Sequence, residues 1–137
     1  PTGDTAFHAS IVERHRYFAL MVTQHTAIAE IRQFLAELLE LGIPLRQAIL
    51  FGSFARNEQH EWSDIDLALV ADSFNGFRPD DIRPFARALV KHADIEPHTF
   101  SPEQFTDWNP FVKEIKRTGI VIGEWEPTTP KNRPVHL

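Results

Sequence analysis

The chain has 137 residues, the size of one domain with a real core, and 42% apolar and 24% charged residues are ordinary globular values. Its formal net charge of −5 argues against non-specific binding along a nucleic-acid backbone, and the lack of cysteine excludes disulfides and Cys-ligated zinc. No apolar run approaches the roughly 18 residues of a membrane helix and no signal peptide is visible, so a cytoplasmic protein is expected.

Residues 5–41 contain neither Pro nor Gly. Phe7, Ile11, Phe18, Met21, Val22, Ile28, Ile31, Leu35, Leu38 and Leu39 recur there at helical spacing, and Gly42 and Pro44 supply the stop. The pattern fits one long helix or two with a break near Thr23–Thr26; its second half, from Ala27, carries the stronger signal. Unbroken, it would span about 55 Å, more than a small domain covers, so its N-terminal half would need a partner surface. Gln47–Phe51 reads as a buried strand, Phe54–Glu58 as a helical turn, and Asp64–Val70 as a second strand with Ile65, Leu67 and Leu69 on one face. Asn75-Gly76 marks a turn. A helix is expected from residues 79–81 to His92, with Pro84 tolerable only in its first turn. Asp94–Phe100 reads as a third strand. Ser101 and Gln104 form a capping box for a short helix, and Asn109-Pro110 caps another through Arg117. Ile120–Ile122 is a last strand. The expected division is a helical extension over residues 1–26, a catalytic domain over 27–124 and a Pro-rich tail over 125–137.

The chemistry is concentrated between Phe51 and Val70. Asp64 and Asp66 lie two apart on a strand, so they share a face. Two carboxylates so close repel one another, and the usual reason to hold such a pair is a divalent cation, above all Mg²⁺ with a phosphate ligand. Gly52 and Ser53, at the end of the preceding strand, can offer backbone N–H groups and a hydroxyl to phosphate oxygens. A phosphate cradle and a metal pair within one hairpin-like unit read as nucleotide chemistry.

Gly52-Ser53, ten residues, then Asp64-Ile65-Asp66 resembles the signature of the minimal nucleotidyltransferases of the DNA polymerase β superfamily. Ala55-Arg56 and Ser63-Asp64-Ile65-Asp66-Leu67 resemble the wording around it, and the likeness covers Ile28 to Glu124. Asn57 departs from the Gly that the family often has, but Asn tolerates a left-handed backbone. The resemblance implies an α+β fold, with a small mixed sheet of about four strands and helices packed on one side. To this the chain adds an extra N-terminal helix. It implies an enzyme that uses ATP and two Mg²⁺ ions to move AMP onto a hydroxyl, with Gly52, Ser53 and Arg56 toward the phosphates. A structural ion pair is the competing role for Arg56. Asp64 and Asp66 would be joined as metal ligands by a third carboxylate from the strand beside theirs. Glu96 is favoured for it and Asp94 is the alternative; His98 shares the face of Glu96.

Sugar-modifying members of the superfamily carry a second domain for the acceptor, for which this chain leaves no room. The minimal members resemble the antitoxin partners of helical HEPN proteins, whose tyrosine they adenylylate. The expected acceptor is therefore a HEPN-type protein, with the N-terminal helix as docking element and the acidic balance suiting a protein better than tRNA. Two alternatives stand beside it. One is a small-molecule nucleotidyltransferase with its acceptor site at a homodimer interface formed through that helix; the other is an inactive module that binds nucleotide or partner.

Overall fold

The computed structural model describes residues 23–127. The expected extension before Thr23 and most of the Pro-rich tail lie outside the described residues. Helix α1 spans Gln24–Glu40. Thr23 caps it in an extended conformation, and its hydroxyl accepts from the Thr26 N–H at 3.2 Å. The helix therefore begins within the expected break, and a single helix running through Thr23 is not formed. Its stop is also chemical. Gly42 takes φ +82°, the Gly42 N–H donates to Leu39 and the Ile43 N–H to Leu38, which closes the last turn.

The sheet has the order β3-β2-β1-β4. Strand β1 (Leu45–Phe51) lies antiparallel to both β2 (Ile65–Ala71) and β4 (Ile120–Glu124). Strand β3 (Ile95–Phe100) lies parallel to β2, so it is reached by a crossover. The crossover is helical but not one helix: α2 (Arg78–Ile82), a 3₁₀ turn (Arg83–Phe85) and α3 (Ala86–Lys91). The expected single helix is corrected here. Pro79 occupies the first turn, and Pro84 then falls too deep, where its missing N–H forces the tighter turn.

The core sits on both faces of the sheet. Ala27, Ile31, Phe34, Leu35 and Leu38 of α1 pack with Phe85 and Ala88 onto Leu50, Ile65, Leu67 and Leu69. Ile49, Phe51, Ala68 and Val70 point the other way and are covered by Phe105 and by Val112 and Ile115 of α4 (Pro110–Thr118). The fold is thus α+β with a mixed four-stranded sheet as expected, corrected in one respect: helices are not confined to one side. Central β2 is apolar on both faces beyond Asp66, which seals the sheet below the acid site. The capping box of Ser101 and Gln104 forms both of its hydrogen bonds, at 2.9 and 3.2 Å, but caps an isolated turn, not a helix. Among the described residues, no helix is long and apolar enough to cross a membrane.

Candidate active site

The site grows from the register of three strands. Asp66 pairs with Phe51 of β1 on one side and with Glu96 of β3 on the other. Residues in register present their side chains on one face, so the two carboxylates stand side by side. His98, one pleat further along β3, reaches back diagonally: its Nε2 lies 3.2 Å from Asp66 Oδ1. Asp66, Glu96 and His98 each offer a ligand atom, all within 4.8 Å of one another.

The expected phosphate loop follows β1. Gly52 has φ +77°, and a β-carbon there would collide with Oδ2 of Asp66. Glycine lets the loop take this backbone and pass that close without displacing the carboxylate. The expected helical turn is a single closed turn. The Arg56 N–H donates to Gly52 at 3.2 Å, the Asn57 N–H to Phe54 at 3.3 Å and the Glu58 N–H to Ser53 at 2.8 Å. Asn57 ends it at φ 56°, so Asn does take the left-handed conformation expected of it. Gln24, in the first turn of α1, donates from Nε2 to the carbonyls of Phe54 and Ala55 at 3.0 and 3.2 Å. The body of the domain thereby holds the loop. Nothing in the sequence marks Gln24 for this task, because the contact joins residues thirty apart.

Other expected residues spread around this centre. Asp64 is exposed at the lip of β2, one residue before the strand, and is not among the three grouped ligands. It lines a groove of about 480 Å³ at the β3 edge together with Glu96 and Arg78. Arg78, which the sequence does not single out, lies 3.8 Å from Glu96 and offsets part of the negative charge. Asp94 is exposed in the turn before β3; its backbone carbonyl accepts from the Ile65 N–H at 2.9 Å and so helps fix the β2–β3 register. Ser53 is half-buried beside Gly52. Arg56 pairs with Glu58 at 2.9 Å on the surface, the structural alternative weighed for it. His60 accepts from the Trp62 N–H at Nδ1, 3.3 Å away, a contact internal to the loop before β2.

The sequence profile described as Nucleotidyltransferase domain matches residues 28–122. The chain belongs to this family. The matched range runs from within α1 into β4 and contains β1, β2 and β3 whole. The chain matches no curated protein. Among solved structures, it is similar to one described as a crystal structure of the toxin-antitoxin with AMP-PNP. The two share 24% identity over 69% of this chain and 73% of that one, with a TM-score of 0.48.

Family membership implies a nucleotide and a divalent cation, and the donor set can be tested against that. Two adjacent carboxylates and a glycine backbone packed against one of them suit a hard cation bridged to phosphate. The residues of this nucleotidyltransferase domain therefore fit the group. The imidazole beside them is a donor that Mg²⁺ does not need.

Proposed function

We propose that the chain transfers AMP from ATP to a hydroxyl and releases pyrophosphate. The observation that carries this reading is the register pair Asp66 and Glu96, with Gly52 packed against Asp66. In the reaction the acceptor oxygen bonds to the α-phosphorus, the bond to the bridging oxygen breaks, pyrophosphate leaves and the hydroxyl proton passes to solvent. Asp66, Glu96 and Asp64 hold the cations, with Glu96 rather than Asp94 as third carboxylate. Bound Mg²⁺, two ions in our reading, neutralises phosphate charge and lowers the pKa of the acceptor hydroxyl. The N–H groups of Gly52 and Ser53 face phosphate oxygens, and the Ser53 hydroxyl adds a donor. Arg78 steadies Glu96 until the site is loaded.

The acceptor in this reading is a tyrosine of a HEPN-type protein, which makes the chain the antitoxin of a pair in the cytoplasm. Residues 1–26 serve as its docking extension, 27–124 as the catalytic domain and 125–137 as a tail. Its support is the resemblance of Gly52-Ser53 and Asp64-Ile65-Asp66 to the minimal transferases and the net charge of −5.

The test is transfer of label from α-phosphate-labelled ATP, with Mg²⁺, into a lysate of the source cells, with Asp66→Asn as control. A labelled protein band that vanishes with the variant supports the proposal and sizes the partner. Label confined to small molecules replaces the protein acceptor with a small alcohol. Nucleotide binding without pyrophosphate release would leave a binding module.

A further inference from the structure

We propose that His98 is itself a metal ligand and that its imidazole turns the site from Mg²⁺ toward a first-row transition ion such as Mn²⁺ or Co²⁺. The inference rests on the transferase reading of Asp66 and Glu96 and adds a residue and a metal preference to it.

Three observations carry it. First, parallel pairing sets His98 opposite Ala68, the residue two beyond Asp66 on the same face of β2, so a small side chain leaves the imidazole room to lean toward the acid. Second, the ring is seated. Phe51 meets it edge-on with centroids 5.0 Å apart, and Phe111 of α4 does so at 6.1 Å. A side chain only 23% exposed between two aromatic walls does not sweep through solvent as a surface histidine does. Third, the nitrogen aimed at the site is Nε2, 3.2 Å from Asp66 Oδ1, and it falls within the 4.8 Å set that includes Glu96. Without a cation, the Nε2 contact to Asp66 holds the two side chains together; with one, both atoms turn to the ion.

The donor set is then two carboxylates and one imidazole. Mg²⁺ takes oxygen ligands and keeps its waters, so a nitrogen gains it little. First-row transition ions accept imidazole, with affinity rising along the series from Mn²⁺ through Co²⁺. An oxygen-only site lacks the imidazole's added contribution to that preference.

The test uses the full chain loaded with Mn²⁺ and reads electron spin echo envelope modulation, which detects a directly bound imidazole nitrogen. Calorimetric titrations with Mn²⁺ and Mg²⁺ alone accompany it for the wild type, His98→Gln and Asp66→Asn. Nitrogen modulation is expected in the wild type and absent in His98→Gln. The ratio of Mn²⁺ to Mg²⁺ affinity should fall on the order of tenfold in that variant, since the glutamine amide still offers an oxygen. Mn²⁺ bound in the wild type and lost in Asp66→Asn, but without nitrogen modulation, overturns the ligand role of His98 and leaves the transferase reading intact. No Mn²⁺ binding by the wild type overturns the ligand role of His98, while the transferase reading, in which phosphate oxygens complete the cation's shell, stands or falls on the labelled-ATP assay. The wild-type spectrum decides the point by itself should His98→Gln fail to fold.

Discussion

A β-carbon on Gly52 would run into the carboxylate of Asp66, so the loop after β1 and strand β2 meet at a point where any larger residue would displace that carboxylate. The same residue holds φ +77°, a conformation that costs an L side chain roughly 1–2 kcal/mol. Gly52→Ala should therefore strain the loop and push Asp66 aside together. We expect a modest fall in melting temperature and a far larger fall in transfer. Thermal melts beside pyrophosphate release check this; wild-type turnover would show that the close approach has no functional role.

Asp66→Asn should abolish transfer with the fold intact. The residue is half-buried at the top of β2, and the amide fills the same volume while losing the charge a cation needs. We expect transfer to fall at least a thousandfold, about 4 kcal/mol of transition-state stabilisation. Circular dichroism verifies folding, and normal turnover by a folded variant would sink the assignment.

The third carboxylate can be named by two variants. Glu96 stands in register with Asp66, whereas Asp94 lies in the turn before the strand. Glu96→Gln should cost transfer activity by two orders of magnitude or more, and Asp94→Asn should cost less than threefold, in keeping with a surface position. Equal, mild losses in both would mean that a different residue completes the site.

These variants test residues of unequal legibility. Gly52, Ser53 and Asp66 stand within one hairpin of sequence, and the close approach of Gly52 to Asp66 is local to it; the period-two rule expects Asp64 on the same face, but Asp64 lies one residue before β2 and outside the grouped ligands. Helix α1 from Ala27 onward, the Asn109 cap and the left-handed Asn57 were legible for the same reason: each depends on neighbours a few residues away. The rest required tertiary pairing. Whether Glu96 or Asp94 meets Asp66 depends on the β2–β3 register, which a crossover helix pair sets. His98 was legible as sharing the face of Glu96, but its contact with Asp66 needs the twist between strands. Arg78 and Gln24 reach the site from helices whose positions no local pattern fixes. Pro84 illustrates the converse: its chemistry predicted trouble within a helix, and the chain answers with a 3₁₀ turn.

Stability should respond to acid through Glu37. A hydrogen bond from Lys91, then one from His92, holds the Glu37 carboxyl below its ordinary value of 4.5, and burial opposes them only in part. A folded pKa below the unfolded one contributes stability that is full above the unfolded value and lost as pH falls through the folded one. The melting temperature should thus decline below about pH 4.5, and Glu37→Gln should flatten that decline. Melts at pH 3.5 to 7 check this, a range set around the carboxylate region. An identical acid limb in the variant would assign the loss to other carboxylates.

Gln24 gives the prediction that best separates positioning from chemistry. Its amide spans the carbonyls of Phe54 and Ala55, which close the turn after Gly52-Ser53 and would otherwise lack a donor from the helix beneath. Each such bond contributes about 0.5–1.5 kcal/mol net. Gln24→Ala leaves Asp66, Glu96 and His98 untouched and removes only the tie. The loop should then sample more conformations, and nucleotide binding must order it again. KM for ATP should rise roughly three- to thirtyfold while kcat changes little, because the energy lost was spent on ground-state binding. Glutamate at the same position keeps the length but presents an acceptor to two acceptors, so Gln24→Glu should be worse than alanine. A fall in kcat with KM unchanged would instead mean that the loop acts on the transition state, and that α1 belongs to the catalytic apparatus rather than to its support.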